Sequence, residues 1–197
     1  MDYITITKEK NLKKILIIFI ILIIIIVSLF KIIKVQDIIL KRIYPTTYSE
    51  YVDKYAKKYN VDPLLVYSII KAESNFDPNV NSSSKAVGLM QIMEDTATEI
   101  AKSSDIKLNN IEDLYEPETN IQIGIAYFAS LKEKYNNNPQ LALIAYNAGF
   151  GNVDKWIREG TIKPDGSDVE NVPFKETNSY VRKILRDYEI YKKLYGR

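Results

Sequence analysis

Residues 62–74 read DPLLVYSIIKAES. Asp62 is placed to cap a helix and Pro63 to fill its first position, where the missing N–H costs nothing. From Pro63 to about Ser74 the apolar residues recur at helical spacing. Val66 and Ile70 are four apart and Glu73 is three further on, so one carboxylate shares their stripe, flanked by Leu65 and Ile69. A carboxyl on an apolar stripe is expected to be partly buried, which raises its pKa. The last turn of a helix, where the negative end of the dipole lies, acts in the same direction. Both effects keep the group protonated near neutral pH, as a general acid requires. The ordinary alternative is a glutamate at a helix end that turns to solvent.

The residues after Glu73 are organised like a site. Asn75-Phe76-Asp77-Pro78 makes a turn, 79–84 is a polar loop, and Gly88 allows a backbone conformation that a side chain would obstruct. Gln91 and Met93 follow at alternating positions, so the loop is expected to set Ser82 and Gln91 along one wall of a cleft. Taken singly, a Ser/Asn cluster is a loop, and Met90 and Met93 are core filler. Further helices are marked on both sides. Tyr51, Tyr55 and Tyr59 recur every four residues beside Val52 and Ala56; Glu94-Asp95-Thr96 begins a short helix running through Ala101. Glu116-Pro117 opens a longer one with Ile121, Ile125, Phe128 and Leu131 on its inner face. Asn138-Pro139 starts another, which carries Leu141, Ala142, Ala145 and Tyr146 and stops at Gly149. Trp156 lies on a short helix ending near Gly160, the loop 161–174 is long enough to line a groove, and an amphipathic helix runs from about Glu176 to Leu194. No strong strand pattern appears, so the fold class is mainly α.

The chain has 197 residues, no cysteine and no histidine. Disulfides, thiol chemistry and the commonest general base and metal ligand are therefore excluded, and no metal or cofactor is expected. Residues 1–44 hold 8 Lys/Arg against 3 Asp/Glu, leaving 19 basic and 22 acidic residues for the remainder. A mildly acidic distal domain argues against a nucleic-acid partner. Between Ile15 and Phe30 there is no charge and one polar residue, Ser28, and the apolar run resumes at Ile32-Ile33. Those 19 positions approach the roughly 20 that a membrane-crossing helix needs, with Lys31 able to snorkel. A cleaved signal peptide is the competing reading, but no small-x-small site follows the run. The expected organisation is a short cytoplasmic N-terminus (1–14), a transmembrane anchor (15–33), a juxtamembrane stem (34–47) broken at Tyr44-Pro45-Thr46-Thr47, and a globular domain (48–197). Basic residues flank the span equally, so charge does not orient it.

Glu73-Ser74-Asn75-Phe76, Ser82, Gly88-Leu89-Met90-Gln91-Ile92-Met93, Ala145-Tyr146-Asn147-Ala148-Gly149, and Glu176-Thr177 with Tyr180-Val181 resemble, in order and spacing, the soluble-lytic-transglycosylase-like (SLT) family of the lysozyme superfamily. The resemblance covers about residues 48–193. It implies a lysozyme-like helical domain of the α+β lysozyme superfamily that cleaves the β-1,4 bond between N-acetylmuramic acid and N-acetylglucosamine without consuming water, leaving 1,6-anhydromuramic acid ends. By residue matching, Glu73 is the acid and then the base. Tyr146 is expected to hydrogen-bond near Glu73 or the substrate's acetamido group. Ser82, Gln91 and Met93 border the sugar at the cleaved bond, and Glu176 contacts glycan. Ser74, Gly88, Asn147 and Tyr180 support the site. No second carboxylate is required where the acetamido oxygen stabilises the cation. Two departures stand out: Lys85 where the family commonly has glycine, and Glu94-Asp95 before Thr96. The implied partner is peptidoglycan, with the domain on the extracytoplasmic face of a bacterial membrane. The alternatives are a hydrolytic muramidase on the same fold and a non-catalytic glycan-binding scaffold of a wall, sporulation or conjugation complex.

Overall fold

A computed structural model describes residues 2–196, without the side chains of 2–13, 15, 17, 29, 30, 32 and 33. The chain divides into two units, Met1–Tyr44 and Pro45–Arg197. The first is a single helix, α1 (Asp2–Ile43). Leu16 and the apolar residues from Ile18 to Val27 are each 45–59% exposed. Among the described residues no helix is long and apolar enough to cross a membrane. Six positions of the expected 15–33 span have side chains outside that description. The expected stem is helical as far as Ile43, with Val35, Ile38, Ile39 and Ile43 exposed along it, and the helix is broken only around Pro45.

The second unit is built from α2 (Ser49–Lys58), α3 (Pro63–Glu73), α4 (Glu94–Ser103), α5 (Pro117–Lys134), α6 (Pro139–Ala148), α7 (Phe150–Arg158) and α8 (Lys175–Tyr195). Asp62 caps α3 by accepting from Leu64 N at 2.8 Å, and Pro63 takes its first position. α3 buries all of Leu65 to Ile70, where the sequence pattern suggested one apolar stripe. It is a central helix, and its buried Ser68 satisfies its hydroxyl on Leu64 O at 2.8 Å. Its main partner is α8, whose Val181, Ile184 and Tyr191 are wholly buried. α5 supplies Ile121, Ile123, Ile125 and Phe128 to the same core, and Gly124 lets it approach the loop before α4: a Cβ there would lie 2.4 Å from Met90 Sδ. Of the three tyrosines spaced along α2, Tyr55 is the one fully buried. Its hydroxyl donates to Glu118 Oε1 at 2.7 Å and joins α2 to α5.

Two short strands escaped the sequence pattern because two residues carry no period. β1 (Ala86–Val87) and β2 (Ile92–Met93) pair antiparallel, Ala86 opposite Met93 and Val87 opposite Ile92. They fold the loop between α3 and α4 into a small hairpin that stands against α5. The fold is thus mainly helical, with this hairpin as its only sheet among the described residues.

Candidate active site

Glu73 is the last residue of α3, and the chain turns sharply behind it. Ser74 donates its hydroxyl to Leu89 O at 2.9 Å, with Ile70 O at 3.2 Å, which ties the helix end to the hairpin. Asn75 (φ +50°) and Phe76 (φ +68°) then reverse the backbone through the left-handed region. In the hairpin, Ser82 N donates to Ala86 O at 2.9 Å and Ala86 N to Ser82 Oγ at 3.0 Å, closing a tight turn around Lys85 at φ +61°. Gln91 donates Nε2 to Val80 O (3.0 Å) and Gly88 O (2.9 Å). The hydroxyl of Ser82 and the amide of Gln91 therefore brace the loop as well as facing the cleft. Gly88 sits at φ +78°, and a Cβ on it would come within 2.3 Å of Asn120 Nδ2 and 2.5 Å of Leu114 O. Asn120 is buried at the centre of this arrangement. It accepts from Met90 N (2.8 Å) and donates to Val87 O (2.9 Å) and Leu114 O (2.8 Å).

The carboxyl of Glu73 meets one hydroxyl: Tyr180 of α8 donates to Oε1 at 2.6 Å. Burial pushes the Glu73 carboxyl up to about 7, against the smaller opposing effects of the Tyr180 hydrogen bond and the Lys183 charge. The residue as a whole is half-buried, because the cleft is open above a carboxyl enclosed on its other sides. Of the two partners expected for Tyr146, Glu73 is not the one it meets: its hydroxyl donates to Met90 O at 2.7 Å, while its ring lies 5.1 Å from that of Tyr127. Burial first, and then the Glu73 charge, push the Tyr146 and Tyr180 hydroxyls well above 10, so both remain neutral donors.

A cleft of about 750 Å³ runs over Glu73. Ser82, Gln91, Met93, Tyr146, Asn147 and Glu176 all line it. Ser74, Gly88 and Tyr180 stand behind the wall, in the contacts already described. Asn147 accepts from Thr177 Oγ1 at 2.7 Å, which joins the end of α6 to the start of α8. The cleft also takes in Thr96 and Thr177, and three residues that the sequence did not single out: Tyr127, Phe150 and Phe174. Phe150 and Phe174 are about half exposed, as is Met93, and Phe174 rests edge-on against Trp156 at 4.9 Å. An aromatic directly after a Gly or Pro punctuation mark, as in Gly149-Phe150 and Pro173-Phe174, was the available signal. Among the described residues no group of acidic side chains is placed to hold a metal ion. The site is a carboxyl raised by burial to about 7, at the floor of a groove with exposed apolar faces and polar edges.

Residues 50–167 match the Transglycosylase SLT domain family. The chain belongs to this family. Over 154 residues it is 36% identical to the soluble lytic murein transglycosylase of Salmonella typhimurium, covering 77% of this chain and 24% of that protein. Over 115 residues it is 36% identical to the membrane-bound lytic murein transglycosylase C of Edwardsiella ictaluri, covering 54% of this chain and 32% of that protein. The solved structure of an inactive glutamate-to-glutamine mutant of the lytic transglycosylase Slt from Pseudomonas aeruginosa superposes with a TM-score of 0.71 at 30% identity, over 78% of this chain and 25% of that one. This SLT chain spans about a quarter of the length of the first curated relatives it matches.

Proposed function

We propose that this SLT chain is a membrane-anchored murein lytic transglycosylase that uses Glu73 first as acid and then as base. The observation that carries the reading is the Glu73 carboxyl, raised to about 7 on the floor of a sugar-sized groove. Such a group is protonated in part at neutral pH, so it can both give a proton and take one back without a large penalty. Glu73 protonates the glycosidic oxygen, the C1–O bond breaks, and the acetamido oxygen of the muramoyl residue stabilises the cation at C1. The Glu73 carboxylate then takes the proton of the C6 hydroxyl, O6 bonds to C1, and the 1,6-anhydro ring closes with the proton back on Glu73. Tyr180 assists the second half by donating to the carboxylate that forms. Met93, Phe150 and Phe174 offer apolar faces to sugar rings, and Glu176 and Asn147 offer polar contacts at the rim. An inactive glutamate-to-glutamine mutant of a relative with the same fold is consistent with one indispensable carboxylate.

The anchor rests on α1. A helical run of 19 residues from Ile15 to Ile33 is about 28 Å long at 1.5 Å per residue, close to the hydrocarbon thickness. Its described apolar side chains are exposed in the chain itself. The substrate places the SLT unit on the extracytoplasmic face. The test is mass spectrometry of fragments released from purified peptidoglycan by the full chain in detergent. Anhydromuramoyl ends from the wild type and none from Glu73→Gln are expected. Reducing muramic ends would replace the reading with hydrolysis, and retained activity in Glu73→Gln would remove Glu73 from the mechanism.

A further inference from the structure

The connection between α7 and α8 runs from Glu159 to Phe174 and holds one 3₁₀ turn, Val169–Asn171. Irregular segments of that length are uncommon in a compact unit unless they are functional or disordered, and this one is tied down along its course. At its start, Thr161 N donates to Trp156 O at 2.8 Å. In its middle, Asp168 is buried and its carboxyl accepts from both arms: Lys163 N donates to Oδ1 at 2.9 Å and Asn171 Nδ2 to Oδ2 at 3.0 Å. Two helices hold the loop from outside. Asn138, the cap of α6, donates Nδ2 to Asp165 O, and Asn178 of α8 donates Nδ2 to Val169 O at 2.6 Å. Ile162, Val169 and Val172 are its buried apolar residues. At its end, Phe174 meets Trp156 edge-on with ring centroids 4.9 Å apart, so the segment closes on itself as an Ω-loop does. Phe174 lines the cleft with about half of its surface exposed, and Glu176 and Thr177 of the same wall follow it directly.

Resting on the reading of the cleft as a glycan site, we propose that Asp168 is a positioning residue: by tying the two arms of this loop together it sets Phe174 where a sugar ring packs on it. Asp168 does not itself line the cleft. It acts through the 3₁₀ turn, which its backbone also holds, since Asn171 N donates to Asp168 O at 2.8 Å. That turn lies two residues before Pro173, so a shift in it is passed to Phe174. Removing the carboxyl leaves Lys163 N and the Asn171 amide without their acceptor, and a buried donor that loses its partner drives the local backbone to rearrange. An amide at the same position keeps both ties. Its oxygen accepts from Lys163 N, and the exposed Asn171 side chain turns over to accept from its N–H.

Trp156 is the one tryptophan of the chain and is buried against Phe174, so its fluorescence reports whether that contact is in place. The probe is a stem-free tetrasaccharide of alternating N-acetylglucosamine and N-acetylmuramic acid. It is titrated calorimetrically into full-chain Glu73→Gln in detergent, where no turnover intervenes, well below the melting transition of every variant. Adding Asp168→Ala is expected to move Trp156 emission to longer wavelength and to weaken binding about fivefold, the weight of one aromatic contact. Adding Asp168→Asn is expected to leave emission and affinity close to those of Glu73→Gln, which a role resting on charge would not allow. Adding Phe174→Ala, with the loop's own ties intact, is expected to weaken binding at least as much as Asp168→Ala. Unchanged emission and affinity in Asp168→Ala, a loss in Asp168→Asn equal to that in Asp168→Ala, or full affinity in Phe174→Ala would each overturn the proposal and leave the cleft reading standing. If Glu73→Gln itself binds no tetrasaccharide, the cleft reading fails and this proposal with it.

Discussion

Glu73 costs the fold something in return for its protonation behaviour, and the sign of that cost is measurable. A carboxyl whose folded pKa is raised contributes its full stability below the unfolded value of 4.5 and loses it as pH rises through about 7. Above that range the ionised group destabilises the fold by at most about 3 kcal/mol. Glu73→Gln carries no charge, so it is expected to melt several degrees higher than the wild type at about pH 8 and at the same temperature at about pH 4. Coincident melting curves at the higher pH would mean that the carboxyl is not held in a desolvated position. Tyr180 tests the same site from the other side. Its hydrogen bond favours the ionised form, so Tyr180→Phe is expected to lower kcat and to move the alkaline limb of kcat/KM upward. A tyrosine that only packed against α3 would leave the limb in place. The sequence pointed to Glu73 through the turn, glycine and motif residues that follow it, since alone a glutamate at a helix end reads as turned to solvent. It did not reveal which hydroxyl meets that carboxylate: Tyr146 and Tyr180 both lie on helices that reach the cleft, and only the crossing of α8 over α3 decides between them.

At the scale of the element, the hairpin between α3 and α4 does the positioning, and its hydrogen bonds converge on Asn120. Replacing Asn120 with Ala leaves Met90 N, Val87 O and Leu114 O without their buried partner, at a cost of about 3 kcal/mol or more. Chemical denaturation is expected to show that loss, together with a fall in glycan affinity as the wall carrying Gln91 and Met93 loosens. Lys85 predicts the opposite sign. It holds φ +61° in an exposed turn, a conformation that costs a side-chain-bearing residue about 1 kcal/mol. Lys85→Gly is expected to relieve this and to raise stability by up to about 1 kcal/mol, less the added chain entropy of glycine. A destabilised Lys85→Gly would show that the lysine side chain holds the turn by contacts of its own. The helices were legible from periodicity and caps: Asp62-Pro63, Glu116-Pro117 and Asn138-Pro139 each open one. Asn120 was not, because a single polar residue within an apolar helix has no pattern. Its role exists only where α5 meets a loop 30 residues away.

At the scale of the whole chain the question is what α1 is for. A continuous helix with apolar side chains exposed at Leu16 and from Ile18 to Val27 would be a liability in water, since exposed apolar patches seek a partner. Under the proposed anchoring that partner is lipid, which needs no hydrogen bonds from a helix that satisfies its own. Lys31, near the end of the run, has a stem long enough to carry its charge toward the headgroups. Beyond it the helix continues for ten residues after Ile33 to Ile43, about 15 Å of stem at 1.5 Å per residue. The segment expected as a stem is thus helical as far as Ile43. Equal basic flanks leave orientation undetermined by charge, so it must be tested directly. When the full chain is expressed and intact protoplasts are treated with protease, the fragment from Pro45 onward is expected to be digested, while a fragment containing α1 survives in the membrane pellet after alkaline carbonate extraction. Protection of the SLT unit would put it on the wrong side of the membrane for murein and defeat the proposed function as a whole. Extraction of α1 by carbonate would leave the enzyme reading standing and remove only the anchor.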